Sequence, residues 1–550
     1  MPSLCFLFCL CLTCIMQIQA AILTSRAQTD LIHTLPGLNF QMAERQFSGY
    51  LNSGNGHMLH YWLIESQNKP SYDPLVVWFN GGPGCSSLLG LFTELGPMRP
   101  TRDGSGLFEN VYSWNKIANV LFLEFPASVG YSYSTSGYPT WSDDNTATDN
   151  FNALVDFFKN AHPEYQNRSF YLTGESYAGV YVPTLAKKIV QAMNQRIYPA
   201  QLVGLAIGNP YLSDSKQTNS VIDYLYYHGI IGDSMWNKFK TQCCSQTCTA
   251  LCDFYSYTNG SNLGTNSACT NMAIDVSYNL LYGTSMDPYN VYQDCYKATS
   301  SSKAHFRSSQ KIFSRFAKNA MAANEQSKIN TASTDGLGGF PCWCDAALEK
   351  YLRTPGVMRA IHIPAMVQRN KWHECWNDTM YYNFKTQYSE MDSFLQYIVR
   401  NTPASFKILI YNGDTDLVCN FLGDQWFMNS FTAVNNIQVV QKRQAWFYRG
   451  QIAGYVTRFQ QSIDFLTVKG SGHMVPMDRA GPALQMIANF LWGKPYSNAT
   501  GINVNPRPLV GGGSTTTSPT TRTTTSSDGA RIIAMTSLIS MLLVLVIYMT

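Results

Sequence analysis

The chain is short of charge. Only 13% of its 550 residues are Asp, Glu, Lys or Arg, the net charge is +4, and no Lys/Arg run exceeds a pair such as Lys187-Lys188. A nucleic-acid surface needs clustered basic side chains to displace counterions from phosphates, and that cluster is missing. No segment repeats at a solenoid period, which excludes a stacked-repeat architecture. Metal signatures are missing as well. "HMLH" at 57–60 and "HEC" at 373–375 lack a third ligand at a recognisable spacing, and H-E-x-x-H does not occur. Neither a metal nor a cofactor is called for.

Two apolar stretches stand at the ends. "MPSLCFLFCLCLTCIMQIQA" carries no Lys or Arg and closes on small residues, the pattern of a cleaved secretory signal over 1–20. Residues 532–549 are apolar throughout and about long enough to cross a bilayer, with no Lys or Arg behind them to hold a span in place. They follow "GGGSTTTSPTTRTTTSSDG" at 511–529, a low-complexity stretch of the kind that carries O-glycans. Two readings stay open: a GPI signal with Ser526, Ser527 or Gly529 as the acceptor, and a retained single span. Either tethers the folded part to a membrane, outside the cytosol.

Export changes the meaning of the cysteines. Of 15, four lie in the first twenty residues, and the other 11 are Cys85, Cys243, Cys244, Cys248, Cys252, Cys269, Cys295, Cys342, Cys344, Cys375 and Cys419. An oxidising compartment pairs most of these, and an odd count leaves at least one unpaired. Sequons at Asn167, Asn259, Asn377 and Asn498 are expected to carry glycan on the same route.

Between the ends, short apolar runs close on glycine-rich or polar turns. "PLVVWFNGGPG" predicts a buried strand over Leu75 to Phe79, and "NVLFLEFPAS" another over Val120 to Leu123. "SFYLTGESYAG" reads as a strand, a tight turn at Glu175 to Tyr177, and a helix with Val182, Leu185, Ile189 and Met193 on one side. "QLVGLAIGNP", "KILIYNGDTD" and "IDFLTVKGSGH" each set polar residues just past a strand's C-terminal end, the edge where an open α/β sheet binds ligands. From 211 to 345 the texture changes: six cysteines crowd into 243 to 295 and no apolar strand appears. The organisation expected is an α/β core from 21 to 210, an inserted disulfide-rich cap from 211 to 345, core again from 346 to 500, a Ser/Thr-rich stalk from 501 to 530, and the hydrophobic end from 531 to 550.

The turn "GESYAG" raises a chemical question. A serine nucleophile is commonly presented on a strand-turn-helix elbow, G-x-S-x-G, although here Ala178 stands where the second glycine would be. A serine hydroxyl becomes nucleophilic when a histidine takes its proton, and the imidazole needs a carboxylate to fix its tautomer. Asp416 in "YNGDTDLVCN" and His473 in "VKGSGHMVPMD" both lie past strands, and the order Ser176, Asp416, His473 is that of an α/β-hydrolase. Oxyanion stabilisation needs two backbone N–H groups; "NGGPG" at 80–84 supplies one and Tyr177 the other.

Four motifs, "WFNGGPGCSSLLGLFTELGP", "GESYAGVYVP", "NGDTDLVCN" and "GSGHMVPMDRAGPAL", resemble those of the serine carboxypeptidase family, cathepsin A type, over about residues 30 to 495. The resemblance implies an α/β-hydrolase fold, a mixed sheet flanked by helices, with Ser176, Asp416 and His473 as the triad and Asp416 rather than Asp414 as the acid. It implies Gly82 and Tyr177 as oxyanion donors, and Asn80, Glu94 and Glu175 as the group that binds a substrate's free C-terminal carboxylate. Two adjacent carboxyls resist double ionisation, so the pair keeps a proton with which to bind a carboxylate, and an acidic optimum is expected. The resemblance further implies a free thiol at Cys419 and the pairs Cys85–Cys375, Cys295–Cys342, Cys243–Cys269 and Cys244–Cys248; Cys252 with Cys344 then remains. The chain departs from the family at Ser128, which replaces a frequent glycine in "PASVG".

The expected partners are peptide and protein C-termini, a membrane through the C-terminal segment, and a second copy in a homodimer. Two other readings share this scaffold: an acyltransferase or esterase, and a protective binding partner of another secretory or lysosomal enzyme. The carboxylate-binding glutamates favour the peptidase.

Overall fold

The computed structural model describes residues 23–101, 103–137, 140–166, 168–244, 252–258, 267–275, 286–293, 345–376 and 383–510. Its framework is one sheet of eleven strands: β1 (Gln46–Gly54), β2 (His57–Ile64), β3 (Leu75–Phe79), β6 (Asn119–Leu123), β7 (Tyr133–Ser134), β8 (Ser169–Glu175), β9 (Gln201–Gly208), β10 (Lys407–Gly413), β11 (Val439–Tyr448), β12 (Gln451–Phe459) and β13 (Ile463–Val468). Two short strands, β4 (Met98–Pro100) and β5 (Leu107–Glu109), pair separately. The order across the large sheet is β1-β2-β6-β3-β8-β9-β10-β13-β12-β11, with β7 beside β2. The central six, β6 through β13, run parallel; the outer pairings are antiparallel. The mixed α/β sheet expected from the sequence is present.

Parallel central strands are buried on both faces, so their side chains read as continuous apolar runs. β3 shows how that serves two cores. Leu75, Val77 and Phe79 point into one apolar cluster with Leu172, Ile408 and Ile410, while Val76 and Trp78 point into the other with Leu409, Tyr411 and Leu466. The helix Ala178–Asn194 lays Val182, Leu185 and Ile189 on the first face. Residues 345–372 contribute Leu348, Tyr351, Leu352, Val357 and Trp372 to the second. A third, smaller cluster belongs to the region expected to form a cap: Tyr224, Leu225, Phe239 and Phe254 pack there, and Leu417 reaches it from beside Asp416.

That cluster corrects the cysteine pairing. Cys243 ends the helix Asp233–Cys243, and Cys244 follows in extended conformation, so the two neighbours face different partners. Cys243 bonds Cys269, and Cys244 bonds Cys252. The Phe239 and Phe254 rings, 5.7 Å apart, draw the two segments together. The expected Cys244–Cys248 and Cys252–Cys344 bridges are therefore replaced by one bridge, Cys244–Cys252. Cys85 bonds Cys375, and Cys419 is a buried free thiol. Cys248, Cys295, Cys342 and Cys344 lie outside the described residues, as do Asn167, Asn259 and Asn377. Asn498 is exposed.

The first residues of the expected stalk, 501–508, are bound to the core. Arg507 Nη1 donates to both Glu44 oxygens at 2.8 Å, and its Nε donates to Glu109 at 2.8 Å. Gln41 donates its N–H to the Pro508 carbonyl. Residues 501–508 are thus held against the core. Among the described residues no helix is long and apolar enough to cross a membrane, and 532–549 lies outside them.

Candidate active site

All six parallel strands end on one edge of the sheet, so the loops after β3, β8, β9, β10 and β13 converge there. The chain order reverses direction on either side of β3, with β6 on one flank and β8 on the other, and such a switch point opens a crevice. Ser176 sits in it. The residue has φ +62°, a conformation uncommon for a side chain larger than hydrogen, and three backbone bonds hold it there. Its N–H donates to Gly208 O at 3.1 Å, and its carbonyl accepts from Gly179 N and Tyr211 N, both at 2.9 Å. The elbow read from "GESYAG" forms without a second glycine at 178, because Gly179 is the residue that closes against Tyr211.

Past β10, Asp416 is fully buried. Its Oδ2 accepts from His473 Nδ1 at 2.7 Å, Asn209 Nδ2 at 2.9 Å and Cys419 N at 3.1 Å, and its Oδ1 accepts from Val418 N at 2.9 Å. Asp414 faces elsewhere: its carboxyl accepts from Gly470 N at 2.7 Å. His473 is buried, and its Nε2 has no hydrogen-bond partner among the described residues. With Nδ1–H committed to Asp416, Nε2 carries the lone pair. A buried imidazole nitrogen with a vacant acceptor site can take a proton.

The loop after β3 closes the opposite wall. At Gly81 a Cβ would lie 2.5 Å from Tyr177 N and 2.7 Å from Ser176 Cβ, so only glycine lets the two loops meet. Gly82 has φ +117°. Among the described residues neither Gly82 N–H nor Tyr177 N–H is donated to a protein acceptor. The Cys85–Cys375 bridge pins this loop, and Trp376 packs on Gly84. Ser128 has φ +96°, and its hydroxyl accepts from Trp376 Nε1 at 3.0 Å. The residue therefore occupies a strained backbone site and bonds a side chain that lines the loop.

Behind the elbow lie the acids. Asn80 Nδ2 donates to Glu175 at 2.8 Å and to Glu94 at 3.2 Å, and Asn80 Oδ1 accepts from Trp78 Nε1 and Gly90 N. Both amide protons of Asn80 are therefore spent on the glutamates, which makes it their holder rather than a free donor. Burial pushes both carboxyls up; for Glu175 the neighbouring Glu94 adds to that, and it rises well above the ordinary range. Counted as ionised groups, Glu94 Oε2 and Glu175 Oε2 lack any donor. One proton shared between the two carboxyls, which lie within hydrogen-bonding reach, satisfies both.

Cys419 is fully buried; burial first, and the nearby Asp416, Asp424 and Glu175 carboxyls after it, hold its thiol far above the usual range, while contact with the Ser176 hydroxyl works the other way.

The match to known proteins follows this geometry. The family model described as serine carboxypeptidase covers residues 36–493. The chain belongs to the serine carboxypeptidase family. A Caenorhabditis elegans relative named serine carboxypeptidase ctsa-3.1 is 40% identical over 512 residues, covering 85% of this chain and 89% of the relative. The lysosomal protective protein of Mus musculus is 38% identical over 482 residues, covering 85% and 94%. The crystal structure of Kex1(delta)p, a prohormone-processing carboxypeptidase from Saccharomyces cerevisiae, matches with TM-score 0.59 at 20% identity over 85% of this chain and 96% of that one, a likeness of fold.

Two sets of residues in this carboxypeptidase are not evident from its sequence motifs. Asn209 follows β9, holds Asp416, and accepts the Gly413 N–H at 2.9 Å through Oδ1. A signal for it exists, since "AIGNP" is another strand closing on a polar residue. Tyr289 and Asn290 touch the His473 loop from inside the expected cap, where no periodicity marks them.

Proposed function

We propose that the protein releases single residues from the C-termini of peptides through an acyl-enzyme on Ser176, with an acidic optimum. The observation that carries this is the buried Glu94–Glu175 pair: Glu175 directly precedes Ser176 and keeps a proton that a general esterase has no use for.

In this reading the substrate's terminal carboxylate accepts a hydrogen bond from the protonated pair, which sets the last peptide bond over Ser176. His473 Nε2 takes the hydroxyl proton as Oγ attacks the carbonyl carbon. Asp416 stabilises the imidazolium, and the Gly82 and Tyr177 N–H groups receive the oxyanion. The imidazolium then protonates the departing amine, the terminal amino acid leaves, and water, deprotonated by the same nitrogen, releases the shortened peptide. The secretory signal pattern, the disulfides and the sequons support a secretory or lysosomal location. The apolar 532–549 segment supports membrane attachment, by a lipid or by a span.

Mass analysis of a peptide incubated with wild type and with Ser176→Ala tests the reading. Stepwise loss of C-terminal residues with wild type only is expected. Internal cleavage, or equal activity in the variant, contradicts it.

A further inference from the structure

Residues 286–293 bond both of the loops that carry the acid and the base. Tyr289 O accepts the His473 N–H at 2.7 Å, and the Tyr289 ring stands edge-on to the imidazole with centroids 4.8 Å apart. On the other side, Pro288 O accepts from Leu417 N at 3.0 Å, and Val291 N donates to Thr415 O at 2.9 Å. Asn290 completes the link with its side chain. Its Oδ1 accepts from Thr415 Oγ1 at 2.8 Å, and its Nδ2 donates to Asp478 Oδ2 at 3.0 Å. The same Asp478 oxygen accepts Gly472 N–H at 2.7 Å, one residue before the histidine. Gly472 is pressed so closely that a Cβ there would lie 2.1 Å from Tyr289 O and 2.6 Å from Asn290 Cβ.

We propose that Asn290 is a positioning residue for the reaction: its amide ties the Asp416 loop to the His473 loop and thereby fixes the imidazole over Ser176. The assignment rests on the serine mechanism above. It does not rest on the substrate being a peptide. The two loops also bond each other directly, Thr415 N–H to Ser471 O at 2.9 Å and Gly470 N–H to Asp414 Oδ1 at 2.7 Å, and the bonds made by residues 288–291 add ties at Leu417, Gly472 and His473, next to the acid and the base. Displacements near 1 Å at a reacting centre cost about 100-fold in rate.

The readout is the rate at which a fluorophosphonate labels Ser176 at pH 7, which needs the triad and no peptide. It is paired with kcat and KM on a peptide. Asp478 Oδ2 accepts both the Asn290 amide and the Gly472 N–H. Asn290→Ala should slow labelling and lower kcat about 10- to 100-fold with KM close to wild type. Asn290→Asp sets acceptor against acceptor and should lose as much. Thr415→Val removes the donor at the other end of the amide and should also slow labelling, and adding it to Asn290→Ala should cost little more, a non-additivity that general destabilisation does not produce. Labelling of Asn290→Ala at the wild-type rate overturns the proposal, and so do losses in the two single variants that simply add in the double. If Asn290→Ala fails to fold, Thr415→Val decides, and labelling of it at the wild-type rate overturns the proposal. Wild type that labels rapidly, with slow Asn290→Ala, yet leaves peptides intact supports the positioning role and overturns the carboxypeptidase reading instead.

Discussion

Replacing Glu94 and Glu175 together with Gln removes a titrating pair and leaves hydrogen-bonding groups of the same size. Both carboxyls are fully buried and raised by that burial, and Asn80 donates to each. A raised carboxyl holds its proton below the raised value and loses it above. Recognition of a substrate carboxylate is therefore complete at acid pH and is lost as pH rises through the pair's apparent value. Past that point each pH unit costs about 1.4 kcal/mol to restore the proton, so KM for a peptide should climb about tenfold per unit. In the double variant an amide donates at every pH, and KM should stay within about twofold from pH 4.5 to 7.5, at weaker affinity overall. The assay is KM for a blocked dipeptide across that range, with the matching ester of a blocked amino acid as the control that presents no free carboxylate. A double variant that keeps the wild-type slope refutes the shared proton.

Other consequences follow from single contacts. Asp416→Asn should lower kcat by about 10⁴-fold on peptide and ester alike, because His473 Nδ1 loses the acceptor that fixes its tautomer; a loss below tenfold contradicts the role of Asp416. Gly81→Ala should cost about 100-fold on both substrates by forcing the loop off Tyr177 N, measured as kcat with circular dichroism as the fold control. Burial raises Asp287 to about 7 and Asp478 to about 6 from ordinary values of 3.8. Such groups keep protons that the unfolded chain has released, so stability should fall as pH rises from about 4 to 7, by at most about 1.4 kcal/mol per unit for each group. A higher thermal midpoint at pH 7.5 than at pH 4.5 would contradict this.

Much of this site is legible in the amino-acid sequence. Strands buried on both faces announce themselves as apolar runs, and a polar residue just past such a run must lie on the sheet's reactive edge, which is how Ser176, Asp416 and His473 stand out. The choice of Asp416 over Asp414 comes only with the family resemblance. Two residues apart on one loop, they differ in what the next loop offers: Gly470 N–H reaches Asp414, and the imidazole reaches Asp416. The Cys244–Cys252 bridge is illegible because it depends on where the helix Asp233–Cys243 stops and which way the next residue turns. Asn290 is hidden for a related reason. Its segment has no period of its own and is ordered by what it touches on either side.

The central claim is that the enzyme reads a free C-terminal carboxylate with Glu94 and Glu175 and cuts the adjoining bond with Ser176. It is tested most directly by measuring kcat/KM at pH 5 for a peptide and for its C-terminally amidated twin. The account predicts a preference of at least about 10-fold for the free acid, of the size of one charge-assisted hydrogen bond, and a much smaller preference once both glutamates are Gln. Equal rates for acid and amide in wild type would contradict it.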